Sequence, residues 1–268
     1  MPQSAQELVT NALVLVGANN CTIGDGSKED KATTARLTIA RRSLLRMHPW
    51  NFSIKRDKLV ATKKAITNVV DNGSSLFRVT AVGHGRANND WVEIAEVQGS
   101  TGINGRWKVT VINADTLDLQ GSTFAGTYVS GGKLWLSLPH GYSFVHSLPS
   151  DYMRMRYIDP DIDYRIESGK LVTDEETVEI RYIAEVTDYL LMDTVFYEAL
   201  AYYLAWTVAL RLSASQEIKE QLWSDLQAVL AKAKSADAQE EPTEDVNDYD
   251  WLQAHDGLNR GFVRDPMT

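Results

Sequence analysis

One cysteine, Cys21, is all the thiol chemistry that 268 residues contain. No internal disulfide framework is possible, so the fold must rest on its apolar core. Histidine is scarce as well: His48, His84, His140, His146 and His255 complete the set. No two of them stand four apart on a helical segment, and no Cys or His cluster has zinc spacing, so no metal site is expected. Long apolar runs are missing too. The most apolar stretch, Val195–Leu210, is interrupted by Glu198 and carries Tyr202, Tyr203 and Trp206 near its middle. It falls short of the roughly 20 residues a bilayer crossing needs and reads as a buried core helix, with no membrane role. Met1-Pro2-Gln3-Ser4 shows no basic stretch followed by an apolar one, so no secretory signal is expected. Together with the single thiol, this fits a reducing compartment or a particle assembled in one.

Catalytic signatures are likewise thin. A nucleophilic cysteine needs a base and an orienting group, and nothing near Cys21 in sequence supplies them. Gly24-Asp25-Gly26-Ser27-Lys28 precedes a helix but lacks the spacing of a phosphate-binding loop and follows a helix in place of a strand. It reads as a turn plus a helix cap, and Gly83-His84-Gly85 as a turn between strands. Asp159, Asp161 and Asp163 alternate, yet the run lacks the glycine and the distal glutamate of a calcium loop. An acidic turn at a hairpin edge fits better. No catalytic residue, cofactor or metal ligand is assigned.

What the chain does have is charge asymmetry. Net charge is −9 and the isoelectric point is about 5.1. Ser235–Thr268 holds nine acids against two bases, whereas Lys28–Lys64 holds eleven bases against three acids. The basic block can serve nucleic acid, because phosphate contacts dominate such affinity, or it can pair with acids of a neighbouring molecule. The acidic pI and the lack of a base-reading module favour the neighbour, an identical subunit included. Arg36, Arg41, Arg42 and Arg46 are the candidate intersubunit basic face.

Along the chain, Ser4-Ala5-Gln6-Glu7 fits a capping box, with Leu8, Val9, Ala12, Leu13 and Val16 at helical spacing and Gly17 as the stop. A second helix opens at Ser27–Asp30. Its expected stripe is Ala32, Ala35, Ile39 and Met47, widened by Leu37, Leu44 and Leu45, and Pro49 ends it. Trp50 and Phe52 read as core anchors. From Phe77 to about Leu138, short strand-type runs alternate with glycine turns, the pattern of a small all-β module. Further short strands follow, with Glu167-Ser168-Gly169-Lys170 as a tight hairpin turn. Two long helices come next: Thr194–Leu212, apolar on nearly every face and therefore central, and an antiparallel partner with the stripe Ile218, Leu222, Leu226, Val229, Leu230 and Ala233. The last segment is acidic, with Trp251, Leu252, Leu258 and Phe262 scattered through it, and cannot build a core by itself.

The expected class is α+β: an antiparallel helical bundle with short β-hairpins and an inserted small, barrel-like all-β domain. Residues 1–75 and 139–235 would form the bundle, residues 76–138 the insert, and residues 236–268 an acidic tail that docks on a partner. Neither terminal helix pair buries its faces well alone, which is why the two ends are expected to fold together.

Several pieces, in this order, resemble the tail tubular protein A family, the head-to-tail adaptors of short-tailed bacteriophages. They are Glu7–Val16, the second helix running into His48-Pro49-Trp50-Asn51-Phe52, Leu148-Pro149-Ser150-Asp151-Tyr152, Tyr164–Gly169, Val178–Tyr182 and the late Ala-rich helix pair. Gly83-His84-Gly85, Gly102–Gly105, Trp107–Val111 and Asn113–Leu119 resemble a β module of phage structural proteins that is likened to a domain of ubiquitin-activating enzymes (the FCCH domain). The simplest adaptors lack such an insert. The resemblance implies a non-enzymatic connector subunit in the neck of a virion, assembled in the host cytoplasm. It implies a ring, generally of twelve copies, beneath the portal protein, with the tail nozzle below and fibres or spikes at the side. The terminal segment would enter portal clefts, making Trp251, Leu252, Leu258 and Phe262 candidate docking anchors. DNA would pass through the lumen on ejection without specific binding, which a net negative chain favours. The alternative is a tail-associated protein that binds or hydrolyses glycan through the β module.

Overall fold

The computed structural model describes residues 3–212 and 215–240. Helix α1 (Ala5–Val16) starts at Ser4, whose Oγ accepts the Glu7 amide at 3.1 Å, and ends at Gly17 in the left-handed region. The reciprocal half of the expected capping box is not made. The Ser4 amide instead donates to the Tyr197 hydroxyl, tying the start of the chain to its late helices. Helix α2 (Lys28–Met47) is capped by Ser27 and stops two residues before Pro49.

Thirteen strands follow: β1 (Ile54–Val60), β2 (Lys64–Ala65), β3 (Asn68–Asp71), β4 (Phe77–Thr80), β5 (Trp91–Gln98), β6 (Gly105–Val111), β7 (Thr116–Leu119), β8 (Ser130–Ser137), β9 (Phe144–Ser147), β10 (Tyr152–Asp159), β11 (Tyr164–Glu167), β12 (Lys170–Thr173) and β13 (Thr177–Ala184). Helices α3 (Thr194–Leu212) and α4 (Gln216–Glu240) complete the described chain.

The strands make three antiparallel sheets, ordered β1-β13-β10, β11-β12-β9 and β2-β8-β5-β6-β7-β4-β3. This corrects the expected fold class. The molecule is dominated by antiparallel β structure, with a seven-stranded sheet curled into a half-barrel, and is not a helical bundle carrying a small insert. The reason is long-range pairing. Ile54–Val60 is basic and largely exposed, so it shows no strand alternation. It is a strand because it lies along β13, with Ile54 opposite Ile183 and Val60 opposite Thr177. The large sheet also begins at Lys64, ahead of the expected residue 76, because two short edge strands, β2 and β3, join it.

Three clusters of buried apolar side chains stand behind these elements. One fills the space among the helices, with Leu8, Leu13, Leu44, Trp50, Phe196, Leu200 and Leu226 at its centre. A second lies on the large sheet, including Phe77, Ile94, Leu117 and Leu134. A third, smaller one lies on β1, β10, β12 and β13. Helix α3 packs against α1, α2 and α4 at once, which its nearly continuous apolar surface allows. Trp50 seals its lower end: its ring meets Phe196 edge-on at 4.9 Å and its indole N–H donates to the Leu44 carbonyl at 3.0 Å.

Candidate functional site

Helix α2 buries only part of the stripe expected of it: Ala32, Leu44 and Leu45 lie inside, but Ala35 does not. Ile39 and Met47 are 55% and 51% exposed, while Thr33, Ala40, Arg41, Leu44 and Leu45 face inward. The helix packs the face centred on its Leu44–Leu45 side against α3, which turns Ile39 and Met47 outward. Its outward face is therefore a mixture of apolar and basic groups: Ile39 and Met47 beside Arg36, Arg42 and Arg46, all exposed. Arg41 leaves this set. It is 8% exposed and its guanidinium reaches Glu185 at 3.0 Å, with Arg42 at 3.5 Å from the same carboxylate. Arg41 thus anchors α2 to the segment after β13 and is not free to meet a neighbour.

A second face of opposite character lies on the far side of α3. Glu198, Tyr202, Trp206 and Leu210 recur every four residues, so they share one side of that helix. Glu198 and Leu210 are exposed and both aromatic residues are half-buried. Toward α1 this stripe borders a groove of about 670 Å³ lined by Glu7, Asn11, Val14 and Leu15. One Glu7 carboxylate oxygen is buried there without a hydrogen-bond partner. Toward α4 the stripe continues into Trp223, whose ring lies 4.9 Å from Trp206, while Lys219 sits over Trp206 at 5.2 Å. Burial first, and then the charges of Asp225 and Glu198, raise the Tyr202 pKa, which places both carboxylates near it. The face is acidic and aromatic, 42% of Trp223 being exposed. The four-residue spacing is visible in the sequence, but on a helix apolar almost all round it gives no hint of which side stays open.

A third feature sits where α4 ends. The Asp237 carboxylate accepts the Asn51 amide at 2.8 Å and pairs with His48 Nε2 at 3.0 Å, and the Asn51 side-chain amide donates to the Asp237 carbonyl at 2.7 Å. The His48–Phe52 segment therefore grips the last turns of α4 just before the acidic terminal residues. Nothing in the local sequence of Asp237 distinguishes it from the acids that follow. The candidate docking residues Trp251, Leu252, Leu258 and Phe262 lie outside the described residues.

The remaining candidates become structural parts. Gly24–Lys28 is not a phosphate cradle: the Asp30 carboxylate accepts the Gly24 and Gly26 amides, and Asp25 accepts those of Thr22 and Ser27. The chain's own carboxylates occupy the donors a phosphate would need, and the Gly24 amide first among them lowers the Asp30 pKa. Burial, followed by the nearby Asp25 and Asp30 charges, raises the Cys21 pKa, which opposes thiolate chemistry. His84 and His146 are buried and each bonds a backbone carbonyl, of Asn113 and Glu175 respectively. Asp163 accepts the Tyr142 hydroxyl at 2.7 Å. Among the described residues, no group of three or more His, Cys, Asp and Glu is placed to hold a metal, and no helix is long and apolar enough to cross a membrane.

No protein-family model matches this chain, and no curated protein matches it. Its function must therefore be argued from its surfaces.

Proposed function

We propose that the chain is a structural adaptor subunit of a bacteriophage connector, assembled as a ring between portal and tail nozzle. The observation that carries this reading is the pair of unlike helical faces. A basic face studded with Ile39 and Met47 lies on α2, and an acidic, aromatic face lies across α1, α3 and α4. Two different complementary patches on one chain favour head-to-tail association, which closes into a ring when the rotation per subunit allows it. Desolvated aromatic anchors would supply the affinity, and charge complementarity the register and encounter rate. The clamp at Asp237 adds a fixed launching point for an acidic segment suited to a portal cleft. The seven-stranded sheet stands apart in sequence as the element to which a fibre or spike attaches. In this reading no catalysis is performed, and DNA passes through the ring unbound.

The test is a charge swap. R36E/R46E and E198R/D225R variants, each mixed with the portal ring, should form no complete connector, and an equimolar mixture of the two should restore it, read by sedimentation velocity and negative-stain imaging. If both variants assemble alone as well as the wild type, these faces are not the subunit contact. Truncation after Glu240, which spares the clamp, should abolish portal docking and leave the subunit folded. Unchanged docking would remove the terminal segment from the mechanism.

A further inference from the structure

The three sheets meet at a cleft of about 610 Å³ that the ring reading leaves unused. Its walls come from Lys58–Thr62 at the end of β1, Gly85, Arg86 and Asp90 from the large sheet's loop, Leu136 on β8, His146 and Ser147 on β9, and Lys170 on β12. Its volume lies within the roughly 300–1,000 Å³ typical of small-molecule sites.

Arg86 is the central group. Its loop is pinned from beneath by buried His84, whose Nε2 bonds the Asn113 carbonyl and whose Nδ1 accepts the Arg86 amide at 3.0 Å. Arg86 Nε donates to the His84 carbonyl at 2.8 Å, and no other side-chain bond is made by the guanidinium among the described residues. Two fork nitrogens are left over. Burial lowers the Arg86 pKa, with only a weaker opposing influence from Asp90. A partly desolvated cation without a bonded carboxylate is the setting in which an oxyanion binds, and the planar fork suits a phosphate or carboxylate two-pronged. Lys58 and Lys170 add two further positive charges. Lys58 has only an exposed pairing with Glu179 at 3.3 Å, and Lys170 bonds the Ser147 hydroxyl at 3.2 Å. Three cations around one space favour a doubly charged group over a single carboxylate.

The same cleft also holds acceptors without donors. Asp90 uses one carboxylate oxygen for the Ala87 amide, and no described residue bonds the other. His146 is 1% exposed, bonds the Glu175 carbonyl through Nε2, and leaves Nδ1 without a partner. Burial lowers its pKa, so Nδ1 keeps its lone pair. A bare oxyanion satisfies none of these acceptors, whereas neighbouring hydroxyl groups do.

We propose that this cleft binds a phosphorylated sugar, with its phosphate on the Arg86 fork between Lys58 and Lys170 and its hydroxyls donating to Asp90 and His146. Calorimetric titration of the full chain tests it, with glucose 6-phosphate, orthophosphate and glucose as probes. Saturable binding of glucose 6-phosphate is expected, at least tenfold tighter than of either other probe. R86Q should weaken it at least tenfold, and K170Q, at a surface position where misfolding is not a concern, several-fold, with both variants melting like the wild type. No binding of any probe, or undiminished binding by K170Q, would overturn the site. Equal affinity for orthophosphate and glucose 6-phosphate would overturn the sugar half. The measurement needs no portal and no ring, so its outcome is separate from that of the adaptor reading.

Discussion

Replacing Asp237 by alanine removes the acceptor at the centre of the α4 clamp. The carboxylate is 10% exposed, takes the Asn51 amide at 2.8 Å and pairs with His48 at 3.0 Å. Hydrogen bonds to a charged group contribute about 1.5–3 kcal/mol each, and a stranded buried amide costs a further ~1 kcal/mol or more. Two features reduce the total. His48 is 25% exposed, and the bond from the Asn51 side chain to the Asp237 carbonyl survives. The expected loss is therefore about 2–3 kcal/mol, a fall of roughly 4–10 °C in melting temperature for a chain of this size. Thermal unfolding followed by far-ultraviolet circular dichroism reads it. A double-mutant cycle with His48→Ala should return about 1 kcal/mol of coupling. A loss under about 0.5 kcal/mol, or no coupling, would mean that the Asp237 carboxylate does not hold the end of α4. The reasoning that makes His48–Phe52 a grip on the terminal segment would then fail.

Other consequences follow from single contacts. Gly99 has φ +91°, and a Cβ there would lie 2.0 Å from the Thr127 carbonyl oxygen, so Gly99→Ala should destabilise the large sheet by at least about 2 kcal/mol in urea titration. Trp50→Phe keeps most of the apolar contact but removes the indole bond to the Leu44 carbonyl, and should cost about 1 kcal/mol by the same assay. Asp118 accepts two bonds from Arg78 at 2.7 and 2.8 Å, and these above all hold its pKa below the usual carboxylate range. A folded pKa below the unfolded one means the unfolded chain binds more protons in between. The pair's contribution is thus complete above the unfolded value of about 4 and is lost as pH falls through the lowered folded value. Asp118→Asn should cost about 2 kcal/mol near neutrality, Arg78 being one-third exposed. Its stability should also fall less steeply than the wild type's as the solution is acidified below about pH 4, and parallel curves would contradict the assignment.

Features decided within a few neighbouring residues were legible from the sequence: the caps at Ser4 and Ser27, the stop at Gly17, the break before Pro49, and the tight turn at Ser168–Gly169 between β11 and β12. The helix pair α3–α4 was legible as well, because helical periodicity repeats every turn and survives local irregularity. The dominance of β structure was not, since a ladder such as β1 on β13 joins residues more than a hundred apart and leaves no trace in the alternation of the exposed member. The face that α2 buries was legible only in part. Ala32, Leu44 and Leu45 lie inside as expected, whereas Ala35, Ile39 and Met47 are apolar too and stay outside, and only the packing against α3 chooses between them. Burial is a property of the partner surface as much as of the residue. That is why Arg41 turned inward to Glu185 while its neighbours stayed out, why Arg86 came to face Lys170 and His146, and why Asp237 found His48 across the helical core.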